Sequence, residues 1–263
     1  MRIVTLMENA TCREAFSCEH GLSLYIETEK NKLLFDAGQT GAFGENAKKM
    51  GVDLAAVDHA ILSHGHYDHS GGMERFLEIN QTAKIYVNRN GVKPHYSGAG
   101  GYIGIAPALM ESDRLVFTKD VHKISEGITL YSCNDRERSY HMDNFGLQME
   151  ENGVLVPDDF CHEQYLLIEE AGKRICISGC SHKGILNIAQ WFQPDVLVGG
   201  FHFMKVETQG EGAAFLKNAA RELMQYPTVY YTGHCTGQAQ FAYMKTYMGD
   251  RLNALSTGSV IAI

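Results

Sequence analysis

The sequence predicts an α/β protein built as a layered sandwich. Three observations carry this: short strand-like apolar runs crowd the first half, strands alternate with helices in the second, and no linker interrupts the 263 residues. Two β-rich halves, each needing helices to cover an outer face, are satisfied by stacked layers. With only 5 prolines and no Ser/Gly run or charge block, a single domain over 1–263 is expected.

In order, "RIVTL" (2–6), "LSLYIET" (22–28) and "KLLFDAG" (32–38) read as strands, the second partly alternating. "GENAKKMG" (44–51) reads as a short helix closed by Gly51. "HAILSHGH" (59–66) is an apolar run ending in histidines, "GGMERFLEI" (71–79) starts a helix, and "KIYVN" (84–88) is a strand. Residues 89–114 are rich in glycine and tyrosine without a clean period, as in a functional loop on the substrate side. Strands resume at 115–118, 128–133, 165–170 and 174–180. After a helix at 183–192, where Ile185, Ile188 and Ala189 share a face, a strand follows at 195–200. An amphipathic helix at 212–225 carries Phe215, Leu216, Ala219 and Leu223 on one side. A strand (228–233), a helix (238–248) and a last strand (259–263) complete the chain.

Composition narrows the function. At 44% hydrophobic and 21% charged the chain is far from disorder. A net charge of −8 argues against a nucleic-acid surface built on bulk electrostatics. No run of about 18 apolar residues exists to span a membrane. The N-terminus lacks the apolar core of a signal peptide, and the seven cysteines form no Cys-x-x-Cys pair, so a reduced, cytoplasmic protein is expected.

The densest chemistry is "LSHGHYDHSGG" (62–72), which places His64, His66, Asp68 and His69 together. Burying such groups unpartnered costs roughly 2–7 kcal/mol each, so the cluster is either a polar surface loop or a site. Imidazole and carboxylate suit zinc and its neighbours. At i and i+2 of extended chain, His64 and His66 point the same way. A turn then redirects Asp68 and His69 toward a second position about 3.5–4 Å from the first metal, as in two-metal sites. Gly71 and Gly72 allow a tight entry into the helix. Further ligands sit at apolar strand ends: His162 before one strand, Cys180 and His182 after another, His202 and His234 after two more.

"SHGHYDHSGG" resembles the His-x-His-x-Asp-His signature of the metallo-β-lactamase fold, and "FDAG", with Asp36, resembles its first motif, where an aspartate braces the metal loop. The later histidine motifs follow the family's order. The resemblance implies a four-layer αββα sandwich with metals at one edge. By resemblance, His64, His66 and His162 hold the first metal, with Glu163 next in line should His162 not serve. Asp68, His69 and His234 hold the second. The family's bridging aspartate usually follows a strand in a Gly-Asp pair; here "SGC" puts Cys180 in its place. The thiol is then a ligand or a buried packing group, with His182 offering a nitrogen two residues on; the packing role is the expectation.

"HEQ", "GCSHKGILNI", "GGFH" and "YTGHCTG" are together similar to the 7,8-dihydropterin-6-methyl-4-(β-D-ribofuranosyl)aminobenzene-5′-phosphate synthases and their relatives. One fold hosts many reactions, so activity does not follow from this alone. The first expectation is a metallohydrolase of a small phosphorylated, ester or lactone substrate, in which metal lowers the pKa of bound water toward about 7 and so supplies hydroxide at neutral pH. Asp68 would orient that water, and His182 or His202 would serve the leaving oxygen. A synthase-type transferase releasing pyrophosphate is the alternative, with Lys93, His95, Tyr96 and Lys183 contacting phosphates. A metal-retaining sensor without turnover is a third. One or two divalent ions are expected, zinc first, with iron, manganese or nickel also fitting. The partner is a small molecule, not nucleic acid or membrane. A flavodiiron protein would carry a glutamate where His66 stands, and nucleases of this fold carry a large insertion and a basic surface.

Overall fold

The computed structural model describes residues 1–263. Two seven-stranded sheets face each other. The first runs in the order Val260–Ala262, Arg2–Met7, Ser23–Glu27, Lys32–Phe35, His59–Ile61, Lys84–Asn88, Leu115–Thr118. The second runs Leu252–Ala254, Val229–Thr232, Val196–Val198, Lys173–Ile177, Tyr165–Glu170, Ile128–Tyr131, Val121–Ser125. Helices Ala42–Lys49 and Met73–Ile79 cover the outer face of the first sheet, where Phe43, Ala47, Met73 and Phe76 pack on Val4, Leu34 and Ile85. Ile185–Phe192, Gly210–Leu223 and Gln238–Met248 cover the second through Ile188, Leu216 and Met244 on Tyr165, Leu197 and Tyr230. Between the sheets, Ile3, Leu24, Phe35 and Ile61 meet Leu130, Leu166, Ile177 and Val198. The result is the αββα sandwich. "KLLF" is apolar throughout because Leu33 and Phe35 face the inter-sheet core while Leu34 faces the helices.

Local chemistry explains the element ends. The helix Ala42–Lys49 closes as a Schellman motif: Val52 N–H donates to Ala47 O (2.8 Å) and Gly51 N–H to Lys48 O (3.2 Å), with Gly51 left-handed at φ +69°. Gly71 and Gly72 serve a different purpose from the one expected. Both have helical φ, but a Cβ on Gly71 would strike the Gln39 carbonyl oxygen, and one on Gly72 the Ala37 carbonyl oxygen. Their value is close backbone approach, which seats the histidine loop against the turn after Phe35.

Most expected elements are present, with ends moved by one to four residues. The helix expected from 183 begins at Ile185, because Gly184 at φ +93° ends a turn that presents His182 and Lys183 before the helix. The irregular 89–114 segment carries a 3-10 turn (Arg89–Val92), a two-residue strand (His95–Tyr96) and a short helix (Pro107–Met110). That strand joins Gln148–Glu151 and Val154–Pro157 in a small third sheet absent from the sequence reading. No helix is long and apolar enough to cross a membrane.

The parallel strands place the chemistry. Lys32–Phe35 and His59–Ile61 in one sheet, and Lys173–Ile177, Val196–Val198 and Val229–Thr232 in the other, are parallel pairs or runs. Asp36, His64, Cys180, His202 and His234 all lie just beyond C-terminal ends of these strands, on one edge of the sandwich. This is where ligands collect in parallel α/β sheets.

Candidate metal centre

The loops at this edge hold residues in unusual backbone. Asp36 (φ +58°), Ser181 (+61°), His202 (+59°) and His234 (+48°) are all left-handed non-glycines. Such conformations cost on the order of 1–3 kcal/mol each and persist only where surroundings fix them. Here each one turns a side chain or its neighbour toward a common point.

Asp36 is the brace under the histidine loop. Fully buried, it accepts from Ser63 N–H (2.7 Å), Ser63 Oγ–H (2.7 Å) and His69 Nδ1–H (2.6 Å). Because the Ser63 hydroxyl proton goes to Asp36, Ser63 Oγ accepts from His64 Nδ1–H at 2.8 Å. Across the site, Asn9 Oδ1 accepts from Gly21 N–H (3.2 Å) and from His234 Nδ1–H (2.9 Å). Glu8 holds the His234 backbone N–H. The network therefore places the proton of His64, His69 and His234 on Nδ1 and leaves each Nε2 lone pair facing inward.

Those lone pairs converge. His69 Nε2 lies 3.1 Å from His234 Nε2 and 3.2 Å from Cys180 Sγ, and Asp68 Oδ2 lies 3.3 Å from His234 Nε2. His64 Nε2 lies 3.3 Å from His182 Nε2. Nitrogens bound to a tetrahedral ion at about 2.0–2.1 Å sit roughly 3.3 Å apart. Acceptors facing one another at this spacing need a proton or a metal ion between them. Buried imidazole nitrogens without a partner tell the same story: His66 Nε2, His162 Nε2, His182 Nδ1 and both ring nitrogens of His202. Asp68, His69, Cys180 and His234 form one set able to hold an ion, His64, His66 and His182 a second, His66, His95, Asp158 and His162 a third, and Cys180, His182 and His202 a fourth. The residues present fit divalent metal.

Titration agrees with the ligand role. Burial, reinforced by neighbouring imidazoles, holds His64, His66 and His182 well below the usual histidine range, so they are neutral and able to bind metal. Burial also pushes the Cys180 thiol up, an effect a bound cation reverses. Burial opposes ionisation of Asp68, but His69 and His234 more than offset it, and the carboxyl stays well below its ordinary value.

Each expected residue has a definite place. His64, His66, Asp68, His69, Cys180, His182 and His234 converge, and Asp36 braces them as expected. The Cys180 thiol, expected to serve as packing, faces His69. His162 is buried beside them, its ring 5.2 Å from that of His66: its Nδ1 accepts from Gly65 N–H (2.9 Å), and its Nε2, without a hydrogen-bond partner, lies 3.3 Å from the Asp158 carboxylate. Glu163 points away from the centre, its oxygens accepting from the N–H groups of His182 (2.7 Å) and Lys183 (3.0 Å). Lys183, expected to contact phosphate, is buried and spends its ammonium on Ser132 O (2.6 Å), Asn134 Oδ1 (2.7 Å) and Glu163 O (3.1 Å). His95, expected in the same role, is buried against Asp158 at 2.9 Å, and Tyr96 pairs with Glu150. Glu8, Asn9 and Asp158 escape the sequence reading. Asp158 stands four residues before His162, the one local signal available.

The sequence model of the metallo-β-lactamase superfamily matches residues 17–203, most of the chain. The chain belongs to this superfamily. It is similar to the 7,8-dihydropterin-6-methyl-4-(β-D-ribofuranosyl)-aminobenzene-5′-phosphate synthase of Methanocaldococcus jannaschii, 29% identical over 290 aligned positions that cover 99% of this chain and 96% of that protein. An uncharacterised protein of the same organism is 29% identical over 213 residues, covering 78% of this chain and 80% of its own. Of solved metallo-β-lactamase folds, a metal-dependent hydrolase of the superfamily superposes with a TM-score of 0.84 at 25% identity, covering 100% of this chain and 99% of that one.

Proposed function

We propose that this chain is a metal-dependent hydrolase of a small phosphorylated, ester or lactone substrate. The observation that carries the reading is the convergence of inward-facing Nε2 lone pairs with orphaned buried imidazole nitrogens beside an open cleft. A cleft of about 420 Å³, lined by Arg138, Tyr140, His141, Phe160 and His182 among others, opens onto the His182 side. A second, of about 630 Å³, opens on the other side at His234, with Met204, Phe241 and Leu255 in its wall. Both are of small-molecule size.

When bound, divalent ions supply Lewis acidity toward the substrate oxygen and acidify water at neutral pH. His64 and His66 hold one position, and Asp68, His69, Cys180 and His234 the other. The Asp68 carboxylate, kept ionised by its two imidazole neighbours, accepts the proton of the attacking water at Oδ2. His202, whose ring nitrogens have no partner, donates to the leaving oxygen from beside His182. Arg138 in the cleft wall, beside Asp143 and Asp158, offers a guanidinium to a phosphorylated substrate.

A synthase-type transferase is the second reading, favoured by similarity to the named synthase over nearly the full length of both chains. There an arylamine takes the place of water and diphosphate departs. Protein reloaded with zinc or manganese is assayed on phosphoester, ester and lactone panels, and on a dihydropterin methyl diphosphate with and without an arylamine. Amine-independent hydrolysis supports the first reading. Amine-dependent diphosphate release supports the second. Tight binding of a compound without turnover rejects both.

A further inference from the structure

We infer that His20 is a positioning residue of the second metal position: its ring is held as an N–H donor against the Asp68 carboxylate, and it is not itself a ligand. This assignment rests on the metal-dependent reading of the site. It gives a role to "CEHGLS" (18–23), a stretch outside the histidine motifs.

The backbone brings His20 to the site from both sides. Glu19 accepts from Gln39 N–H (2.9 Å), Thr40 N–H (2.9 Å) and the Thr40 hydroxyl (2.7 Å), which ties it to the loop between Asp36 and helix Ala42–Lys49. Gly21 lies so close to the histidine loop that a Cβ would come within 2.6 Å of the Asp68 carbonyl oxygen, and Leu22 N–H donates to that oxygen at 3.4 Å. Between these anchors the His20 ring sits 4.8 Å from the ring of His234, and its Nε2 lies 3.4 Å from Asp68 Oδ2. Its side chain is 44% exposed, against 0% for His69 and 1% for His234, so it stands on the solvent side of the ligand set.

The position of the ring proton follows from a chain of donors that starts at a backbone amide. The Gly21 N–H can only donate, so the Asn9 atom it meets at 3.2 Å is Oδ1, which fixes the flip of the side-chain amide. The same oxygen accepts from His234 Nδ1–H at 2.9 Å. The Asn9 NH2 group is then turned the other way and donates to His20 Nδ1 at 3.2 Å. With that lone pair taken, the neutral ring of His20 carries its proton on Nε2, the nitrogen that faces Asp68. One amide thus sets two imidazoles in opposite senses: His234 presents a lone pair to the ion, and His20 presents a proton to the carboxylate. Neither nitrogen of His20 keeps an electron pair for a metal. Of the three imidazoles near Asp68 Oδ2, His69 (3.6 Å) and His234 (3.3 Å) bring Nε2 lone pairs, and His20 alone brings an N–H. Ligating carboxylates are themselves held by outer hydrogen-bond donors, and His20 is the donor this site provides.

The test uses the full chain stripped of metal and titrated with Co²⁺, read by visible absorption and by competition with a chelator. Wild type is compared with His20→Phe, which keeps a ring and removes the donor, and His20→Gln, which puts an amide N–H near the Nε2 position. His20→Phe is expected to bind the second equivalent roughly 10-fold or more weakly, as loss of an outer partner does, and to shift its visible bands, with the first equivalent unchanged. His20→Gln is expected to recover the wild-type bands and an affinity within roughly 3-fold of wild type, because only the outer donor needs replacing. Circular dichroism checks that both fold. Ring-nitrogen NMR of metal-free wild type needs no variant: His20 is expected to carry its proton on Nε2 and His234 on Nδ1. A folded His20→Phe protein that binds the second equivalent as tightly as wild type makes His20 a bystander and overturns the assignment. Complete loss of that equivalent in both variants makes His20 a ligand and overturns it equally, as does a His20 proton found on Nδ1. A wild-type chain that takes up fewer than two equivalents overturns the reading of the second position and the assignment with it.

Discussion

His69 and Asp36 are joined by a 2.6 Å hydrogen bond, Nδ1–H to Oδ2, with both side chains fully shielded from solvent. The same carboxylate accepts the Ser63 N–H and hydroxyl, so one residue sets the ring orientation of His69 and, through Ser63, that of His64. Asp36→Ala leaves these donors without an acceptor. Removing one partner of a buried charged pair costs about 3–5 kcal/mol, and losing an outer partner of a ligating histidine costs roughly 10–100-fold in metal affinity. Both losses are expected, measured by urea denaturation of the metal-free protein and by chelator competition. Unchanged metal affinity in a folded Asp36→Ala protein would remove Asp36 from the metal centre.

The metal-free protein should be most stable near neutral pH. Burial depresses His64, His66 and His182, so the unfolded chain binds more protons at these positions below about pH 6.5. Their contribution is present above that pH and is lost as pH falls, by up to about 1.4 kcal/mol per imidazole per pH unit. His69 has the opposite sign. Burial works against its charged form, but Asp36 and Asp68 overcome that and raise it to about 9. Its contribution is complete below about 6.5 and fades as pH climbs through about 9. Denaturation midpoints of chelator-treated protein should therefore fall on both sides of a plateau between these limits. A midpoint that does not drop between pH 6.5 and 5 would show that the imidazoles are not buried neutral.

Lys183 is expected to matter for stability and not for substrate affinity. Its ammonium is saturated by three oxygens, and burial pulls it down to about 8. Lys183→Met keeps the aliphatic stem but strands the Ser132 and Glu163 carbonyls. Buried acceptors left unpaired cost roughly 1–3 kcal/mol each. The denaturation midpoint should fall accordingly, while KM for a phosphorylated substrate, once one is found, stays within a few-fold of wild type. A large KM rise without destabilisation would return Lys183 to the substrate.

How far the sequence could be read depends on whether the deciding contact is local. The spacing of His64, His66, Asp68 and His69 is a property of six residues, and the apolar runs before Asp36, Cys180, His202 and His234 mark strand ends directly. The orientations of His162 and His182 turn on partners elsewhere in the fold, the Gly65 amide that donates to one and the Glu163 carboxylate that accepts from the backbone N–H of the other. Spacing cannot show these. Glu8 and Asn9 reach His234 from the opposite end of the chain. The small sheet of Gln148–Glu151 and Val154–Pro157 is largely solvent-facing, with Val154 and Leu155 exposed, so it lacks the alternating pattern that burial imposes.

Cys180 gives the sharpest spectroscopic prediction. The thiol lies 3.2 Å from His69 Nε2, in a set completed by Asp68 and His234, where relatives by resemblance carry a bridging carboxylate. A thiolate next to a divalent ion is favoured even though burial alone pushes the thiol up. Cobalt-loaded protein should therefore show a strong sulfur-to-metal charge-transfer band in the near ultraviolet. Cys180→Ser should abolish the band and weaken the second equivalent of metal, while the first equivalent, on His64 and His66, binds as before. Cys180→Asp should lose the band yet regain the second equivalent, because a carboxylate supplies the charge without needing a soft partner. Cobalt-loaded wild type without the band would return Cys180 to packing and leave the second ion to Asp68, His69 and His234 alone.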